Sequence, residues 1–146
     1  MSEAKSFEQI LEEDGVLVYT SKGFSMYPLI KQNRDLLVIR KPEGELKKYD
    51  IVLFKVKTKY LLHRIIEMDG DTIVTAGDHN AFKDSRIRKD RVIGVLSAIV
   101  RDGKEIDIHD PKLELYGKLV SDFFEVKAFG LKTKALGGKI KRKIFG

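Results

Sequence analysis

At 146 residues without a cysteine, the chain has the length of one domain with its own core, and it excludes a disulfide framework, a thiolate nucleophile and a cysteine-based zinc site. Its formal charge of +6 is unevenly placed: Lys112 to Gly146 holds nine Lys/Arg against three Asp/Glu, so the first 111 residues are balanced and the basic character belongs to the tail. No apolar run approaches the ~20 residues of a membrane helix and the N-terminus has no signal-peptide core, so a soluble, cytoplasmic chain is expected, with no cofactor or metal.

In chain order, Ser6 and Gln9 have the spacing of a capping box, and Phe7, Ile10 and Leu11 fall on one helical stripe before Asp14-Gly15 ends it; a short amphipathic helix is expected within 1–14. From Gly15 the period changes. The runs GVLVYT, DLLVIRK, YDIVLFKVK, YLLHRIIEM, DTIVTAG and RVIGVLSAIV are short, rich in branched and aromatic residues, and separated by Gly, Asp, Asn and Lys. Thr58-Lys59 is expected to join two strands, Asp69-Gly70-Asp71 to form the next turn, and Asp102-Gly103 to open a hairpin before KEIDI. The expected fold is therefore mainly β over 15–110, with six or seven strands forming a coiled sheet or partly open barrel. Asp110-Pro111 then starts a second amphipathic helix over 111–126, with Leu113, Tyr116, Leu119, Val120, Phe123 and Phe124 at helical spacing. The remainder, 127–146, is a basic tail in which Lys132, Lys134, Lys139, Lys141, Arg142 and Lys143 lie among Phe129, Leu131, Leu136, Ile140 and Phe145. That mixture suits either a solvated tail or peripheral contact with an anionic membrane; nucleic acid ranks last, since no aromatic platform is recognisable.

Among the residues able to carry chemistry, Ser25 in GFSMYPLI lies between a flexible Gly23 and a Pro28 that fixes the chain. It suits either a turn or a nucleophile, and as a nucleophile it needs a base in hydrogen-bond reach. His63 falls on the same strand face as Leu61 and Ile65, where it is either a core-edge histidine satisfied by a backbone carbonyl or that base. His79 and His109 carry weaker signals. The loop TAGDHNAFKDSR supplies two carboxylates, Asp78 and Asp84. They are either solvated, with Asp78 on its own backbone and Asp84 on Arg86, or one of them orients the imidazole.

GFSMYP resembles the serine box of type I signal peptidases and of the LexA-like self-cleaving repressors, in which Gly-x-Ser-Met holds the nucleophile; Pro28 resembles the signal-peptidase version. NRDLLVI and YDIVLF resemble the two strands that follow in that superfamily, and LLHRI resembles the strand bearing its general base, with His63 where most members carry lysine, as in the endoplasmic-reticulum-type enzymes. GDHNAFKDSR is similar to the family's Gly-Asp-Asn box ending in Asp-Ser-Arg, and VIGVL to its close. The resemblance covers about Gly15 to Val100. It implies a serine endopeptidase acting on leader or signal-like peptides of preproteins, in which Ser25 attacks, His63 moves the proton and Asp84, rather than Asp78, orients His63. The Ser25 N–H would serve the oxyanion hole, Met26 would pack beneath the serine, and Gly23 stands where some members supply a second hydroxyl donor. The alternative on the same fold is a catalytically weak peptide- or partner-binding module. No membrane anchor is expected, and the 24 residues ahead of Ser25 are too few for a repressor's helix-turn-helix domain.

Overall fold

Ser6 caps helix α1 (Phe7–Asp14) by accepting a hydrogen bond from the Gln9 N–H, while the Gln9 side chain accepts from the Ser6 N–H; Gly15, in the left-handed region, closes it. Leu11 is buried, and the Phe7 ring lies 4.9 Å from that of Tyr19 and 4.5 Å from that of Tyr60, so the helix packs on the sheet along the stripe legible in the sequence. The computed structural model describes residues 4–124; the tail at 127–146, and the last two residues of the expected helix over 111–126, lie outside the described residues.

Eight strands follow: β1 (Val16–Thr20), β2 (Asp35–Arg40), β3 (Ile51–Val56), β4 (Lys59–Asp69), β5 (Thr72–Ala76), β6 (Ile87–Arg88), β7 (Val92–Arg101) and β8 (Lys104–Asp107), then helix α2 (Pro111–Asp122). All pairs are antiparallel, in the order β1-β2-β7-β3-β4-β5-β6, with β8 on β7. The sheet is open, ending at β1 and β6. β2 takes one edge of β7, and the other is shared between β3, opposite Val92–Val95, and β8, opposite Ala98–Arg101. Register shifts at Val38/Ile39, Leu53/Phe54 and Ile65/Glu67 bend the strands and coil the sheet.

The coil buries both faces of the central strands. Along β3, Ile51 and Leu53 join the larger apolar cluster with Leu11, Leu37 and Leu96, whereas Val52 and Phe54 join a second with Ile65 and Ile73. This explains why YDIVLF reads as a continuous apolar run. Two expectations shift: the β3–β4 hairpin turns at Lys57-Thr58, one residue earlier than Thr58-Lys59, because Lys57 takes the positive φ of 56°; and β6 adds a strand of only two residues, too short to show a period.

Candidate active site

The chain leaves β1 and coils into two tight turns, with the Tyr27 N–H bonded to the Phe24 oxygen and the Ile30 N–H to the Met26 oxygen, each at 3.0 Å. Met26, Leu29 and Ile30 are buried and anchor the turns, leaving Phe24 and Tyr27 exposed and Ser25 half-buried between them. Gly23 takes a φ of +93°, and its N–H donates to Gln32 Oε1 at 2.9 Å; the Tyr27–Pro28 peptide is cis. Among the described residues, neither the N–H nor the hydroxyl of Ser25 has a hydrogen-bond partner.

His63 lies in the middle of β4 opposite Val52, 5% exposed, with the Phe54 ring edge-on at 6.2 Å. Its Nδ1 is 2.5 Å from Asp84 Oδ2, and the same oxygen accepts from the Thr75 hydroxyl at 2.7 Å. The Asp84 N–H donates to the Thr75 carbonyl at 2.8 Å, so the residue is held at backbone and side chain. With the carboxylate on Nδ1, Nε2 is the nitrogen left to accept a proton.

Ser25 reaches this strand through Gly77. Continuing the Arg64–Ala76 register by one residue sets His63 across from Gly77. A Cβ on Gly77 would stand 2.5 Å from the Ser25 carbonyl oxygen and 2.7 Å from Asn80 Nδ2, and the His79 N–H donates to that carbonyl at 2.9 Å. The turn therefore rests on the loop residue facing the histidine. The φ of Gly77 is not positive, and what this glycine supplies is room.

Asp78 faces the other side of β4. It makes a paired ion bridge with the buried Arg64, with Arg64 Nε to Oδ1 and Nη2 to Oδ2 both at 2.9 Å, and it contacts neither its own backbone nor His63. Its N–H points at Met26 Sδ, 3.4 Å away, which places Met26 under the serine turn and against this loop. Arg64 also donates from Nη1 to the Tyr49 carbonyl at 3.1 Å and stacks over Tyr116. Arg86 does not pair with Asp84: its guanidinium binds Thr72 Oγ1 at 3.0 Å and Glu67 at 3.4 Å on the exposed side of β5. The His79 ring meets Tyr27 edge-on, and His109 bonds Glu114 on the surface. Arg64 and Thr75, neither singled out by the sequence, hold the two aspartates of this loop, Arg64 holding Asp78 and Thr75 holding Asp84. Both sit inside regular strand patterns, and only the partners across the loop give them meaning.

Among the described residues, no group of three His, Asp or Glu side chains is placed to hold a metal ion, and no helix is long and apolar enough to cross a membrane. A family model described as Peptidase S24-like matches residues 3–97. Comparison with curated proteins and with solved structures gives no match.

Proposed function

The chain belongs to the Peptidase S24-like family, whose model matches residues 3–97, and we propose that within it the chain is a serine endopeptidase of the histidine-containing signal-peptidase type, acting on leader or signal-like peptides. The observation that carries the reading is the 2.5 Å contact between His63 Nδ1 and Asp84 Oδ2 beside the loop that supports Ser25. In the mechanism, Ser25 Oγ attacks the scissile carbonyl carbon while His63 Nε2 takes the hydroxyl proton. Collapse of the tetrahedral intermediate breaks the C–N bond, and His63 returns the proton to the leaving amine. The Ser25 acyl ester is then hydrolysed by a water that His63 deprotonates. Asp84 holds the imidazole in the Nδ1–H tautomer and balances its charge when protonated.

The Ser25 N–H is the backbone donor for the developing oxyanion. Gly23 brings no hydroxyl, and its N–H is engaged by Gln32. An extended substrate would add as a strand at the sheet edge, with a preference for small residues such as Ala before the cut. The basic tail 127–146, with its interleaved apolar residues, would approach an anionic membrane surface peripherally. The engagement of Gly23 by Gln32 favours a second reading, in which the fold serves as a peptide-binding module with weak or no turnover.

Peptides containing Ala-x-Ala should be cleaved by the purified protein and left intact by Ser25→Ala. Equal turnover by the variant would sink the assignment.

A further inference from the structure

Thr75 is fully buried at the next-to-last position of strand β5, just before the loop that carries Asp84, and it contacts that residue twice. Its carbonyl accepts from the Asp84 N–H at 2.8 Å, and its hydroxyl donates to Asp84 Oδ2 at 2.7 Å, the very oxygen that meets His63 Nδ1. A carboxylate on a loop of irregular backbone rotates freely about its last torsion, which is broad and two-fold, and either oxygen could present itself to the imidazole. A carboxylate oxygen can take two donors, and two convergent donors from different directions fix both its identity and its angle. Neither alternative partner for the threonine hydroxyl nor water access is needed to explain its burial: the residue has 0% exposure and its polar atom is satisfied by Asp84.

We propose that Thr75 is a positioning residue, one that clamps Asp84 so that a single carboxylate oxygen receives His63 Nδ1–H and His63 is held in the tautomer whose Nε2 is basic. Thr75 touches neither substrate nor the reacting atoms, and acts only through Asp84. The inference rests on the Ser-His-Asp reading of the site. A hydroxyl at this position is required, and the β-branched methyl is not, so Ser should replace Thr, whereas Val, nearly the same shape, should not.

The test reads the histidine directly. In protein carrying ¹⁵N-labelled histidine, the His63 ring shifts of the wild type should report one neutral tautomer, protonated at Nδ1. In Thr75→Val they should move toward a mixture with the Nε2–H form, while Thr75→Ser keeps the wild-type pattern. Peptide cleavage by Thr75→Val should fall about 10- to 100-fold in kcat, the range seen when partners that orient metal-ligating histidines are removed, with KM within about twofold. Thr75→Ala gives the same comparison should the valine variant not fold. A folded Val or Ala variant with the wild-type tautomer overturns the proposal, even if it melts at a lower temperature. If the wild type does not cleave peptides, the peptidase reading fails while the ring shifts still decide the role of Thr75.

Discussion

Asp78 and Asp84 lie on one loop, yet they meet opposite faces of β4. His63 and Arg64 are neighbours on a strand, so their side chains point to opposite sides; Asp84 meets the first and Asp78 the second. Removing each charge should therefore do different things. Asp84→Asn should leave the protein folded and lower kcat by about 10⁴-fold, since an amide cannot hold the same tautomer. Asp78→Asn strips the partner from a buried guanidinium and should cost about 3–5 kcal/mol, read as a fall in the unfolding midpoint. The sequence offered both aspartates, and resemblance favoured Asp84, but no loop periodicity says which residue reaches which face. Thr75 was hidden for the same reason: in DTIVTAG a threonine is an ordinary strand residue until the returning loop brings Asp84 onto it.

Helix α2 was legible as an element, from its Asp110 cap, its Pro111 start and its apolar spacing. Its coupling to the site was not. Gly117 faces Arg64, and a Cβ there would stand 2.2 Å from Nη1 and 2.9 Å from Cζ. In an exposed helix, Gly→Ala stabilises by about 1 kcal/mol. Here the arginine is fixed by Asp78 and the Tyr49 carbonyl and has nowhere to move. Gly117→Ala should therefore destabilise, lowering the urea midpoint; a rise would mean that Arg64 yields freely. The β strands were legible where they alternate or run apolar, and so were the hairpins β3–β4, β4–β5 and β7–β8 from their turn residues; the pairing of β7 with β2 and β3 was not, because it spans long sequence separations.

At the scale of the molecule, the serine turn is tied to the sheet through Asp35. This buried carboxylate accepts from Arg34 and Arg101 and from the Lys31 N–H, while both arginines also reach the Leu29 carbonyl. Burial alone would raise its pKa, but the hydrogen bonds from Arg101 and Arg34 outweigh burial and hold the carboxyl well below the usual carboxylate range. A folded pKa below the unfolded one stabilises fully above about pH 4, and that contribution is lost as pH falls toward the folded value. The melting temperature should thus drop with acidification below about pH 4, and Asp35→Asn, already weaker at neutral pH, should show a flatter acid slope. The same tie keeps the turn that presents Ser25 in place, and on that presentation the proposed chemistry depends. The most direct test is a serine-reactive acylating probe applied to the folded wild type, followed by mass analysis of the adduct. A reactive nucleophile predicts one adduct, on Ser25, that disappears in His63→Ala; an unlabelled Ser25, or labelling unchanged by the loss of His63, would contradict it.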